Sequence, residues 1–173
     1  MLRMEKVRRG HEDLGRIEAL YERAFPENER RPLGPIIADE SGTAQCLAFY
    51  DEDGFAGLAC VLRWRDVDHL IYFAVEEEKR GRGYGAQILN GLFKEGRRLI
   101  ADLEADDPER ADNDMRRRRL AFYRRCGFSE TDVRYEWRGE KYVILSRGGN
   151  ITPDGFRDFW RGVDAANPEM AQY

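Results

Sequence analysis

Residues 80–86 place a glycine at every second position, in the order Arg-Gly-Arg-Gly-Tyr-Gly-Ala. The segment follows the apolar run 70–75 and precedes apolar residues at helical spacing, so it predicts a loop between a strand and a helix. Glycine lets the backbone approach a ligand closely, and the first N–H groups of a helix lack partners within the helix. Such groups, at the positive end of a helix dipole, are typical of phosphate sites. We therefore expect this loop to bind a phosphorylated cofactor.

A dinucleotide-binding loop is an alternative interpretation of the same glycines. Residues 81–86 also satisfy the looser pattern G-x-G-x-x-A, and Asp102 follows about 20 residues later. Five charged residues, however, separate Val75 from Gly81, where a dinucleotide-binding turn is tight. Too little chain follows for a second half of that fold, so this alternative is disfavoured.

The composition predicts one globular domain without a nucleic-acid partner. The chain has 173 residues, 36% of them charged, and a formal net charge of -4, whereas nucleic-acid-binding domains are usually basic. Cys46, Cys60 and Cys126 form no C-x-x-C pair, and His11 and His69 lack a ligand partner at useful spacing, so we expect no disulfide framework and no metal. The first residues lack a signal-like apolar stretch, and no run is long enough to span a bilayer. These features favour a cytoplasmic protein with no membrane partner.

Apolar periodicity and turn residues predict an alternation of helices and strands. The predicted strands are 44–50, 55–64, 69–75, 98–104, 133–137 and 141–146. The predicted helices are 12–25, 33–38, 86–93, 113–126 and one that begins at Thr152. We expect the first three strands to be antiparallel, and strands 69–75 and 98–104 to pair in parallel across a crossover helix. Asn113 is the predicted N-cap of its helix, and Gly127 the residue that ends it.

A second motif, Leu-Ala-Phe-Tyr-Arg-Arg-Cys-Gly-Phe at 120–128, follows the glycine loop after one helix and one strand. With both motifs in this order, the chain resembles the GNAT superfamily of N-acetyltransferases over about residues 5–147. In those enzymes an R/Q-x-x-G-x-G/A loop binds acetyl-CoA, and a tyrosine of an F-Y-x-x-x-G-F-like segment lies near the thioester sulfur. The resemblance implies an α+β fold: a mixed, mainly antiparallel sheet with splayed parallel central strands, flanked by helices. We expect a single acyltransferase domain over 1–173, with a helical extension from about 151.

The resemblance also implies cofactor-binding residues. Strand residues Phe73, Ala74 and Val75 would contact the pantetheine arm, and the N–H of Val75 would polarise the thioester carbonyl. The loop residues that would hold the pyrophosphate are Arg80, Gly81, Arg82, Gly83, Tyr84, Gly85 and Ala86. One position departs from the family pattern, because Arg116 stands where many members have an asparagine.

Two side chains are the predicted catalytic groups. Tyr123 would protonate the departing CoA thiolate; its alternative role is that of a packed core aromatic. Glu104, at the end of strand 98–104, would take a proton from the amine. Glu104 could instead orient the acceptor or be a solvated acid, and residues 76–78 are weaker alternatives.

The predicted activity is transfer of an acetyl group from acetyl-CoA to a primary amine of a small molecule or peptide by direct attack. The alternative is a non-catalytic acyl-CoA sensor or interaction module. If residues 25–35 cover the site, the acids there favour a cationic acceptor. Those acids are Glu27, Glu29, Asp102, Glu104 and Asp106. The apolar face of the C-terminal helix is a candidate surface for a homodimer.

Overall fold

The computed structural model describes residues 1–170, which form one seven-stranded sheet and five α-helices. The strands are β1 Arg3–Lys6, β2 Ala44–Asp51, β3 Gly54–Trp64, β4 Val67–Val75, β5 Arg98–Glu104, β6 Ser129–Trp137 and β7 Glu140–Arg147. The helices are α1 Leu14–Ala24, α2 Leu33–Ala38, α3 Tyr84–Leu92, α4 Asn113–Arg125 and α5 Pro153–Ala166. Short 3-10 turns lie at Glu27–Glu29, Glu77–Lys79 and Pro168–Met170.

The sheet has the order β1-β2-β3-β4-β5-β7-β6, and only β4 and β5 pair in parallel. That pairing ends at Leu70 opposite Ala101, although both strands continue beyond it. We call the opening between residues 71–75 of β4 and residues 102–104 of β5 the fork. The predicted α+β class, with its mainly antiparallel sheet and parallel central pair, is confirmed.

Two hydrophobic cores cover the two faces of the sheet. Helices α1, α2 and α5 pack on one face, which we call the α5 face, with Ile100 of β5 in its core. Helices α3 and α4 pack on the other, the α3 face, where Leu99, Ala101 and Leu103 are buried. Alternate residues of β5 therefore point to opposite cores. The fork connects the two faces.

The apolar face of helix α5 packs against the sheet of the same chain. Thr152 caps its N-terminus, accepting a hydrogen bond from the N–H of Gly155 at 3.1 Å, as the predicted start requires. Phe156, Phe159 and Val163 are buried in the α5-face core. The apolar surface on which the expected dimer depended is therefore covered by the chain itself.

The remaining differences from the sequence predictions are local. Strand β1 was not predicted, because its four residues are mostly polar and sit at an exposed sheet edge. Strand β6 begins at Ser129 rather than 133, since a bulge between Glu130 and Arg134 breaks its alternation. The N-cap of α4 is Asp112 and not Asn113, whose side-chain oxygen instead accepts the N–H of Asp107 at 2.9 Å.

Candidate active site

A cavity of about 1160 Å³ runs through the fork. Its walls come from β4, β5, α3, α4, the hairpin β6–β7 and the segment between α1 and α2. The predicted catalytic residues Tyr123 and Glu104 both line it. The predicted cofactor residues that line it are Phe73, Ala74, Val75, Arg80, Gly81, Gly83, Tyr84, Gly85 and Ala86. Arg82 lies outside this lining, with its guanidinium 4.0 Å from Asp53.

The glycine loop has the geometry of an anion cradle. Gly81 and Gly83 both have φ of 76°, and Gly83 is the N-cap of α3. Helical hydrogen bonding starts with the N–H of Gln87 donating to Gly83 at 3.2 Å, so the N–H groups of residues 84–86 precede it. A Cβ on Gly85 would lie 3.0 Å from the ring of Phe122, so glycine allows α3 to pack closely against α4. The loop therefore offers main-chain donors to a phosphate at the cavity wall.

Asp51 anchors this loop from the β2–β3 turn. One oxygen accepts a hydrogen bond from the Lys79 ammonium at 2.5 Å, and the other accepts one from the Tyr84 hydroxyl at 3.0 Å. The Lys79 hydrogen bond holds the pKa of Asp51 below its usual value. These contacts fix both ends of the loop. Sequence reasoning missed them, since Asp51 lies 28 residues before Lys79.

Strand β4 directs main-chain groups into the fork. The N–H of Glu76 donates to the carbonyl of Ala56 on the β3 side at 2.9 Å. Successive N–H groups along a strand point in opposite directions, so those of Val75 and Phe73 point away from β3. On that side the pairing with β5 has already ended, at Leu70. The Val75 N–H is thus directed into the cavity.

Tyr123 lies in the last turn of α4 on the α3 face, and is 8% exposed. Its ring packs edge-on against Phe128, with centroids 5.2 Å apart. Burial, and to a lesser degree the charge of Asp102, raises the pKa of Tyr123 well above its usual value. The phenol therefore keeps its proton at neutral pH.

Glu104 ends β5 with its carboxylate paired to α4. One guanidinium nitrogen of Arg119 lies 2.8 Å from both of its oxygens. Burial, followed by the charges of Glu104 and Glu140, raises the pKa of Glu29. These three carboxylates thus generate a negative potential at one end of the cavity, partly offset by nearby arginines.

Asp102 lies two residues before Glu104 and makes two contacts across the sheet. One carboxylate oxygen lies 2.6 Å from Nε2 of His69 on β4, and the other accepts a hydrogen bond from the Tyr135 hydroxyl of β6. His69 is 1% exposed, and its Nδ1 has no hydrogen-bond partner among the described residues. No local pattern predicts this network, because its members lie on three strands.

The segment between α1 and α2 lines the cavity, which meets the condition set for an acidic entrance. Its backbone is held by the Tyr72 hydroxyl, which donates to the carbonyl of Glu29 at 3.0 Å, and by Arg138, which donates to that of Asn28 at 2.6 Å. Of the five predicted acids, those that line the cavity are Glu29, Asp102 and Glu104. The aromatic residues in the same lining are Phe25, Tyr72, Phe73, Tyr84, Phe122, Tyr123, Tyr135, Trp137, Tyr142 and Trp160.

Four arginines of α4, Arg116, Arg117, Arg119 and Arg124, are paired with acidic residues. Arg116 is 4% exposed and donates to the carbonyl of Ala105 at 3.0 Å and to Glu140 at 3.1 Å. Arg117 and Arg124 donate to acidic residues at 3.0 and 2.6 Å. Arg116 thus ties α4 to the neighbouring strands.

Within residues 1–170 no cluster of three His, Cys, Asp or Glu side chains could hold a metal ion. None of the helices described there is long and apolar enough to cross a membrane.

A family model described as the acetyltransferase (GNAT) domain matches residues 42–130, just over half of the chain. The matched range contains the glycine loop, the fork and Tyr123. The chain belongs to the GNAT family of acetyltransferases. No curated protein matches it significantly in sequence.

Solved structures of this family share the fold at low identity. A GNAT-family acetyltransferase from Bacteroides thetaiotaomicron is 20% identical, and the match covers 94% of this chain and 96% of that one with a TM-score of 0.77. An acetyltransferase from Bacillus subtilis in complex with CoA is 16% identical over 88% and 100% of the two chains, with a TM-score of 0.57. An aminoglycoside 6'-N-acetyltransferase complexed with coenzyme A is 14% identical over 84% and 96%, with a TM-score of 0.61.

Proposed function

We propose that this protein transfers an acetyl group from acetyl-CoA to a primary amine by direct attack. The observation that carries the proposal is the fork: the Val75 N–H and the N-terminus of α3 face one cavity, which is lined by residues from both sides of the sheet. Main-chain donors at such positions suit a pyrophosphate and a polarised carbonyl. Membership in the acetyltransferase family and CoA-bound relatives of the same fold support the cofactor.

The predicted residues receive roles that fit their positions. Residues 80–86 hold the pyrophosphate, and residues 73–75 hold the arm and the acetyl group. The protonated Tyr123 phenol donates to the leaving sulfur on the α3 face. A carboxylate of β5 on the α5 face takes the amine proton; Glu104 is the candidate that the sequence suggests.

We propose a cationic acceptor that carries an apolar or aromatic body. The support is the negative potential at Glu29, Glu104 and Asp102 beside a wall rich in aromatic rings. Aromatic faces attract ammonium groups, and carboxylates pair with them. Polyamines, aromatic amines and peptide amines share this chemistry, whereas aminoglycosides share its positive charge alone.

The proposal treats residues 1–173 as one acyltransferase domain, of which the last three lie outside the described residues. The helical extension then begins near 151 and packs on the sheet. The residues that line the cavity come from one chain, and a homodimer stays a prediction. We also propose a cytoplasmic location, which the three free cysteines support.

Calorimetry with CoA, followed by an acetylation assay with spermidine, kanamycin and tyramine, tests the proposal. We expect CoA binding and release of free thiol that depends on one of these amines. Acceptance of anionic amines alone would contradict the acceptor class. CoA binding without turnover of any amine would favour the sensor alternative, and absence of CoA binding would end the proposal.

A further inference from the structure

We propose that Asp102, held by His69 and Tyr135, is the group that accepts the proton from the acceptor amine. This inference rests on the proposed function and identifies the proton acceptor at the same site. Asp102 is then a catalytic residue, whereas His69 and Tyr135 are positioning residues that hold its carboxylate.

The location of Asp102 is the first argument. The parallel pairing of β4 and β5 ends at Ala101, so Asp102 is the first residue of β5 beyond the point where the fork opens. It shares a strand face with Ile100, which belongs to the core of the α5 face. The covering segment between α1 and α2 lines the same cavity. The carboxylate therefore lies on the acceptor side of the sheet, opposite the Tyr123 side.

The buried imidazole is the second argument. His69 is surrounded by Phe156, Phe159 and Trp160 of α5, with ring centroids 5.5 to 5.8 Å away. With Nδ1 unpartnered there, we assign the ring hydrogen to Nε2, where it is donated to Asp102 at 2.6 Å. A buried nitrogen without a hydrogen-bond partner destabilises the fold. A phenylalanine ring would fill the same space and would have no such nitrogen. A packing role does not explain the histidine, but positioning Asp102 does.

The partners of the two carboxylates differ in charge. Glu104 has both oxygens beside the full positive charge of Arg119. Asp102 instead contacts the His69 imidazole with one oxygen and accepts a hydrogen bond from the Tyr135 phenol with the other. An acceptor ammonium would have to compete with the Arg119 guanidinium for Glu104, whereas at Asp102 it would join an imidazole and a phenol.

Other elements also face this network. Helix α5 places the rings of Phe156, Phe159 and Trp160 against His69. The further titratable or charged groups that face Asp102 or Tyr135 are Glu104 of β5, Tyr123 of α4, Tyr142 of β7 and Arg31 of the covering segment. The tyrosines stay neutral at physiological pH because burial raises the pKa of both.

The proton balance of the reaction is complete with these groups. An ammonium loses one proton to Asp102, whose carboxyl stays hydrogen-bonded to the Nε2–H of His69. The freed nitrogen lone pair forms the C–N bond, the C–S bond breaks, and the sulfur takes a proton from Tyr123. The nitrogen loses its second proton, which restores Tyr123, and Asp102 releases the first to solvent. The products are the amide, the free thiol and one proton.

The test compares Asp102→Asn with Glu104→Gln in the full-length protein. The assay follows kcat/KM from about pH 6 to about pH 9 with whichever of spermidine, kanamycin and tyramine the wild-type protein acetylates. For Asp102→Asn we expect a loss of about 100-fold or more at neutral pH. Its remaining activity should rise about tenfold per pH unit, because only the free amine then reacts, whereas the wild-type and Glu104→Gln profiles are level above neutrality. CoA affinity, measured by calorimetry, should be unchanged in both variants.

His69 has its own pair of variants and a readout without substrate. His69→Gln retains an N–H donor near the Nε2 position and should keep most activity, whereas His69→Phe should lose about tenfold or more. In ring ¹⁵N spectra of the wild-type protein, which has only two histidines, His69 should be the neutral Nε2–H tautomer. That measurement remains decisive even if a variant does not fold.

The outcomes separate the two proposals. If the wild-type protein acetylates an amine but Asp102→Asn keeps a level pH profile, or if Glu104→Gln acquires the slope, the inference is overturned while the proposed function stands. An Nδ1–H tautomer of His69 also overturns it. If CoA binds but no amine is acetylated, the proposed function fails and this inference fails with it.

Discussion

The conformation of Gly83 allows a quantitative test of the cofactor loop. Its φ of 76° lies in the left-handed region, and a Cβ there would meet nothing within 4 Å. Gly83→Ala therefore introduces only backbone strain, roughly 1–2 kcal/mol for an L-residue. A variant loop that relaxes out of this conformation when no ligand is bound must regain it to bind the pyrophosphate. CoA affinity should then fall about 5- to 30-fold, since about 1.4 kcal/mol corresponds to a factor of ten.

Gly42→Ala is the matched control for this experiment. Gly42 has φ of 82° and equally open surroundings, but it lies before β2 and outside the cavity lining. Calorimetry with CoA and urea unfolding of both variants give the comparison. Gly42→Ala should lower the free energy of unfolding and leave CoA affinity unchanged. Equal CoA affinity of Gly83→Ala and the wild-type protein would refute the role of the loop amides.

Three further predictions concern catalysis, packing and pH. Tyr123→Phe should lower kcat about 10- to 100-fold while the Kd for CoA changes less than about twofold; equal turnover would remove the hydroxyl from the mechanism. In Gly162→Ala the new Cβ would overlap the Trp64 indole, so urea unfolding should show a loss of at least about 1–3 kcal/mol, whereas Gly91→Ala, on an open helix surface, should stabilise by roughly 0.5–1 kcal/mol. The lysine beside Asp51 lowers its folded-state pKa, so its contribution to stability is present above about pH 4 and is lost as pH falls through the folded pKa. Asp51→Asn should accordingly make the free energy of unfolding less dependent on pH on the acid side, and an unchanged acid limb would contradict this assignment.

Signals within a few residues predicted most of the fold. Gly127 was expected to end its helix and adopts positive φ there, whereas Gly83, expected in the loop, adopts positive φ as the N-cap of α3. The central strands were found because their apolar runs are bounded by turn residues. Strand β1 has no such run, since it is an edge strand of four residues that pairs with β2 alone. The β1 segment forms a strand because it hydrogen-bonds to β2.

Local sequence signals predict the cofactor side of the candidate site but not its acceptor side. The contacts on the acceptor side depend on how neighbouring strands align in the sheet. Local alternation places Asp102 and Glu104 on one face of β5, but it does not show which partners stand opposite them. His69 reaches Asp102 because Leu70 aligns with Ala101 in the parallel pair. Tyr135 reaches it from β6, with β7 lying between β6 and β5 in the sheet. A shift of one residue between β4 and β5 would turn the Asp102 side chain to the α3 face and away from both partners. The alignment of the strands therefore determines which groups contact Asp102. Because His69 also packs against α5, the position of the proposed proton acceptor depends on the packing of α5 against β4.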